Sequence, residues 1–257
     1  MILRRLSQSL KEQNWTAIWI EFILLVAGVF LGIQVANWNT ARVEQKRADE
    51  MFARLINDLQ SEKRNIEMFR DYFATTAAYA KVALREFEAP GSVDPETFVI
   101  SAYQASQWQD VASSRSTFEE IVATGAISLV RNAKARDLLI GYYEYDVTKS
   151  ITYTSRPHYR ELMRGVMPYA IQEAIKATCG DQMKFVGRAS YSSLPKQCNI
   201  DVPAQDIELA AAAMRTAPGF EQALRYQLAE NDTKAGAYRS AANSLVPLIA
   251  ALEGGVR

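Results

Sequence analysis

The stretch AIWIEFILLVAGVFLGIQVA, residues 17–36, decides how the rest of the chain is read. A helix rises ~1.5 Å per residue, so about 20 such residues cross a ~30 Å hydrocarbon core. Trp15 and Trp19 stand at one end and Trp38 at the other, as in the aromatic belts of membrane interfaces. A secretory signal peptide has a shorter apolar core of ~7–15 residues and then a small-x-small cleavage site. Here the apolar run is longer, and Val35-Ala36-Asn37 is a poor cleavage site. The expectation is an uncleaved signal-anchor. Residues 1–14 would form a cytoplasmic tail, 15–38 a transmembrane helix, and 39–257 a helical extramembrane domain.

Basic residues near the segment do not orient it. Arg4, Arg5 and Lys11 lie on one flank, and Arg42, Lys46 and Arg47 on the other. Two features break the tie. A short basic N-terminus before a first hydrophobic segment is the usual signal-anchor pattern. Cys179 and Cys198 also fall together in one Gly-, Ser- and Pro-containing stretch. Such a pair suits a disulfide in an oxidising compartment, against the alternative of two unrelated thiols buried in a cytosolic domain. The expected location is a bacterial inner membrane, crossed once, with the C-terminal domain in the periplasm.

Inside the span, Glu21 is costly in hydrocarbon and is a candidate contact. It pairs across a helix dimer, with a neighbour's Lys11 or with Gln34 of an antiparallel helix, or else reaches water and head groups. Gly28 and Gly32 form a small-xxx-small pair that lets two helix backbones approach.

The run WTAIWIEFILLVAGVFLGIQVANWN, residues 15–39, joins a Glu, an apolar run, Gly-x-x-x-Gly, Gln34 and Asn37-Trp38-Asn39. It resembles a group of bacterial membrane proteins, the family of unknown function DUF6090 and its proteobacterial relatives. A second, looser similarity lies in STFEEIVATGAISLVRNAKARDLLIGYY, residues 116–143. The resemblance covers about a fifth of the chain. It implies an N-terminal anchor and a helical domain, and it imports no activity.

Beyond the anchor the chain is long enough for one full core. From Trp38 to Glu88 there is no Pro or Gly, and apolar residues recur at heptad spacing: Phe52, Leu55, Leu59, Ile66, Phe69, Phe73, Ala80, Ala83, Phe87. That pattern predicts a stalk helix continuing the membrane helix and stopped at Ala89-Pro90-Gly91. Asp94 reads as an N-cap with Pro95 at the first helical position, for a helix running to about Val111. Ser116 and Glu119 read as a capping box for a short helix ended by Gly125. Asn132 caps a Leu- and Tyr-rich helix reaching about Ser150. A further helix spans about Tyr159 to Thr178, kinked at Pro168. The last two run from about Ala204 to Thr216 and Phe220 to Leu252, with Pro247 expected to kink or end the second. No run alternates in the manner of a strand. The fold class is all-α: an N-terminal transmembrane helix continuing into a long stalk, packed with a helical bundle.

Charge is balanced, with 29 basic and 29 acidic residues and no basic block, so nucleic acid is not an expected partner. His158, the single histidine, follows Arg156-Pro157 at a helix break, where a surface or capping role is the common one. There is no Gly-x-Ser-x-Gly elbow, no metal-ligand spacing and no Gly-rich phosphate loop, so neither an enzyme nor a cofactor is expected. The candidate ligand cluster is Tyr142, Tyr145, Arg156 and His158, because Tyr and Arg bind anionic or aromatic molecules by hydrogen bonding and stacking. Against it stands plain packing of Tyr rings in a bundle. Two function classes follow. One is a membrane-anchored interaction or scaffold protein, self-associating or joined to another membrane protein. The other is a small-molecule sensing module acting through a membrane partner. A ligand-sized pocket lined by Tyr142, Tyr145 and Arg156 favours the second; a filled bundle with an exposed apolar stripe favours the first.

Overall fold

The computed structural model describes residues 15–109, 115–130, 132–145, 157–186 and 189–255. The expected tail 1–14, with Arg4, Arg5 and Lys11, lies outside the described residues, as does Arg156. The described chain is all-α apart from one short hairpin. It forms two units, residues 1–51 and 52–257.

Helix α1, Trp15–Glu88, runs through 74 residues. In the first unit, every residue from 15 to 44 is exposed. This part of α1 is long and apolar enough to cross a membrane, and none of its apolar window is buried.

In the second unit, α1 supplies the stripe on which the other helices pack. Phe52, Leu55, Leu59, Ile66, Phe69, Phe73, Ala80 and Ala83 are buried, and Phe87 is partly so. Phe52, Leu55 and Leu59 are 4%, 0% and 0% exposed within one chain, so its own later helices cover this part of the stripe. Polar ties flank them. Arg54 pairs with Glu120 at 3.0 Å, and the Thr117 hydroxyl donates to Asp58 at 2.6 Å.

After α1 come α2 (Pro95–Ala105), α3 (Ser116–Ala123), a 3-10 turn (Ala126–Leu129), α4 (Ala133–Glu144), α5 (His158–Val166) and α6 (Tyr169–Cys179). Strands β1 (Gln182–Val186) and β2 (Ala189–Ser193) follow, then α7 (Ala204–Thr216) and α8 (Phe220–Gly255). Phe98, Val99 and Tyr103 of α2, Tyr159 and Met163 of α5, Ile171 and Ile175 of α6 and Phe220 and Leu224 of α8 share one core with Ala80 and Ala83.

Several helix ends differ from the sequence pattern, each for an identifiable reason. Asp94 does cap α2, accepting the Thr97 N–H at 2.9 Å. That helix stops at Ala105 rather than near Val111. The Ser106 hydroxyl turns back to the Tyr103 carbonyl at 2.6 Å, and Arg160 takes the Ser106 carbonyl at 2.8 Å. Ser116 is not a cap. Arg115 stands at the cap position without a side-chain cap bond, and its guanidinium is drawn to the Tyr143 carbonyl at 2.9 Å and to Glu119 at 3.7 Å.

The two prolines inside helical patterns have opposite outcomes. Pro168 separates α5 from α6 instead of kinking one helix. It has no N–H for the Arg164 carbonyl, and the Gln172 side-chain amide donates there instead, at 2.8 Å, and to the Met167 carbonyl at 2.7 Å. Pro247 neither ends nor splits α8, which continues to Gly255. The carbonyl it deprives belongs to Asn243, an exposed residue, so water can satisfy it.

The hairpin is a further correction, since no strand was expected. Gln182 faces Ser193 and Val186 faces Ala189 in an antiparallel pair. Tertiary contacts hold it. Gln109 donates to the Ser192 carbonyl at 3.0 Å, and the Tyr79 hydroxyl donates to the Pro195 carbonyl. Gly180 opens the excursion, and a Cβ there would clash with the Lys176 carbonyl oxygen.

One buried charge ties α1 to α7. Glu86 is 2% exposed, accepts N–H groups of Gly91 and Val93 at 3.0 and 3.2 Å, and pairs with Arg215 at 2.9 Å. Burial alone would raise its pKa, but the two N–H donors and the Arg215 guanidinium outweigh it and hold the carboxyl below its ordinary value. A depressed carboxyl contributes stability above its unfolded pKa and loses it as pH falls through the folded one. Glu86→Gln should therefore cost about 1–3 kcal/mol near pH 7. It should cost less below about pH 4, where the wild-type carboxyl is itself becoming protonated. Thermal unfolding of both chains across that range checks it; an equal loss at every pH would assign the cost to packing.

Candidate functional site

Helices α4 and α8 border a cleft of about 780 Å³, within the 300–1,000 Å³ range of ligand pockets. Asn132 starts α4 by accepting the Ala135 N–H at 3.2 Å. Ala135, Leu139 and Tyr143 then recur every four residues and turn inward, with exposures of 0%, 0% and 4%. The neighbouring face presents Lys134, Asp137, Leu138, Gly141, Tyr142 and Tyr145 to the cleft. The opposite wall is Ala237, Ser240, Ala241 and Ser244 of α8, small residues at i, i+3, i+4 and i+7.

The aromatic end is fixed by packing. Tyr143 stacks on Phe118 with centroids 4.0 Å apart, and Tyr142 meets Tyr143 edge-on at 5.2 Å. The Tyr142 hydroxyl donates to Glu62 of α1 at 2.8 Å. Burial raises the Tyr143 pKa, the charges of Glu62 and Asp58 add to this, and Arg115 opposes it. Tyr145 is 75% exposed. Ser240 donates to the Gly236 carbonyl at 3.2 Å and Ser244 to the Ala241 carbonyl at 2.8 Å, so each hydroxyl keeps acceptor capacity. At Gly141 an added Cβ would meet no atom within 4 Å, so the cleft is open there.

The cleft thus unites two of the expected cluster residues, Tyr142 and Tyr145. His158 does not line it. It is the first residue of α5, its ring is 80% exposed, and it lies 3.9 Å from Glu161. Lys134, Asp137 and the α8 wall were not anticipated. The small residues at helical spacing on α8 were the available sign. Glu21, Gly28 and Gly32 are exposed, and nothing lies within 4 Å of a Cβ built at either glycine.

Two other polar groupings support structure. On α8, Gln227 donates to Asn231 at 2.8 Å, and Asn231 donates to the Ala105 carbonyl at 3.3 Å. One turn on, Lys234 is 1% exposed with its ammonium 5.4 Å from the Phe73 ring, and burial lowers its pKa. Beneath the hairpin, the Tyr72 hydroxyl donates to Asp181 at 3.2 Å. Burial raises the Asp181 carboxyl against the pull of Tyr72, Arg160 and Arg164. Among the described residues no three His, Cys, Asp or Glu side chains gather to hold a metal ion.

Cys179 and Cys198 lie at disulfide distance, with sulfurs 2.15 Å and Cα atoms 5.6 Å apart. Comparison with known proteins returns no match to a family model, to a curated protein or to a solved structure.

Non-reducing peptide mapping of the full chain taken from membranes should recover Cys179 and Cys198 in one linked species. Their replacement by serine should lower stability by ~3 kcal/mol in the chain-entropy description. Alkylation of both thiols without reductant would remove the bridge.

Proposed function

We propose that this chain is a membrane-anchored binding module, whose helical domain takes a small molecule in the α4–α8 cleft and acts through a partner in the membrane. The cleft carries the reading. It joins apolar walls, small side chains, two tyrosines and one charge of each sign, the mixture expected of a ligand site. The exposed apolar length of α1 supports the anchor, since leaving such a face in water forfeits about 25 cal/mol per Å². The cysteine pair supports an oxidising compartment, and with it a periplasmic domain on a bacterial inner membrane.

Gly141 gives a clean test, because a side chain there meets open space and not the core. Native mass spectrometry of the full chain should find a co-purifying molecule in the wild type. Gly141→Leu should lose it while keeping the wild-type unfolding temperature. Retention of the same molecule by Gly141→Leu, or its absence from both chains, would remove the cleft as a ligand site.

A second reading is self-association through the anchor, as a homo-oligomeric scaffold. One observation favours it: Gly28 and Gly32, one turn apart, leave the α1 backbone open to close approach. Gly28→Leu with Gly32→Leu should then lower the oligomer mass seen by light scattering in detergent without unfolding the domain. A monomeric wild type, or an unchanged mass in the double variant, would overturn it.

A further inference from the structure

We infer that the ligand of the α4–α8 cleft is a single-chain zwitterionic amphiphile, of the lysophospholipid class; this rests on the reading of the cleft as a ligand site. The chemistry of the cleft changes along α4. Lys134 and Asp137, one turn apart, place an ammonium and a carboxylate at one end. Neither has an ion-pair partner among the described residues. Gly141 and Ala241 line an apolar stretch that is open at Gly141, and Tyr142 and Tyr145 line the cleft further along α4.

Each end selects part of the occupant. A phosphate meets Lys134 while an ammonium meets Asp137, so a zwitterionic head satisfies both charges and a purely anionic one satisfies only one. From Lys134 to Tyr145 the helix advances ~16 Å. A free amino acid therefore reaches only one end, whereas a lipid chain runs the length of the floor. Small side chains at Ala237 and Ala241 line the apolar wall of a cleft of about 780 Å³, the volume of a single ligand-sized occupant.

The test uses the full chain in phospholipid vesicles, with a lysophosphatidylcholine probe carrying a diazirine midway along its acyl chain. A fatty acid and a two-chain phosphatidylcholine with the same diazirine serve as comparisons. After illumination, mass spectrometry maps the labelled peptides, and labelling within residues 15–38 reports bilayer contact. The single-chain zwitterion should label α4 and α8 peptides at least fivefold above either comparison. Gly141→Leu should reduce that labelling about tenfold. Lys134→Gln with Asp137→Asn should bring it near the fatty-acid level, because an exposed charge pairing is worth up to about fivefold each. Labelling of 15–38 should stay constant throughout. Equal cleft labelling by the fatty acid would overturn the zwitterionic head. Labelling confined to 15–38 would overturn the amphiphile. If native mass spectrometry still finds a molecule lost in Gly141→Leu, the cleft reading survives that result; if it finds none, both fall.

Discussion

The ring of Tyr238 lies against both Phe69 and Phe73, 5.7 Å from each centroid, and this stack fixes α8 on α1. All three side chains are nearly or fully buried. Large apolar side chains of this kind each gain about 1.5–3 kcal/mol on burial, and stacked rings add to that. The other wall of the cleft is referenced to the same helix. The Tyr142 hydroxyl reaches Glu62, and Thr117 and Glu120 of α3 reach Asp58 and Arg54. Helices α4 and α8 are thus each set by α1, and the space between them follows from where α1 holds its neighbours.

Much of this was legible in the chain. The stripe from Phe52 to Phe87 at heptad spacing announced the long helix, and Asp94 and Asn132 announced two helix starts through cap chemistry that acts within three residues. What the stripe could not tell was its occupant. A heptad pattern reads the same whether a second copy or a later part of the same chain covers it. Errors at helix ends share one cause: a long-range contact outcompeted a local signal. Arg160 of α5 takes the carbonyl that ends α2, and the Arg115 side chain, tied to Tyr143, stands where Ser116 was expected to cap. The hairpin was silent for the same reason, since Gln109 and Tyr79, distant in sequence, hold it in place.

Of the candidate site, only two lining residues were legible. Tyr142 and Tyr145 stood out because tyrosines are conspicuous three residues apart on a helix. Their partners on α8 did not, because Ala and Ser at helical spacing read as ordinary packing until a neighbouring helix leaves them uncovered. Pro168 and Pro247 show how little an amino-acid type decides alone. One stands before a turn whose orphaned carbonyls Gln172 adopts, and the other frees an exposed carbonyl to water.

The excursion between Cys179 and Cys198 has a topological consequence. With the sulfurs bonded, everything from Gly180 to Gln197 becomes a closed ring hung between α6 and α7. A peptide bond cut within that ring would open it without dividing the molecule. Helices α7 and α8, and with them one wall of the cleft, would stay tethered to the rest of the chain by sulfur alone. The ring would be a place where damage, or an inserted sequence, leaves the cleft's two walls joined.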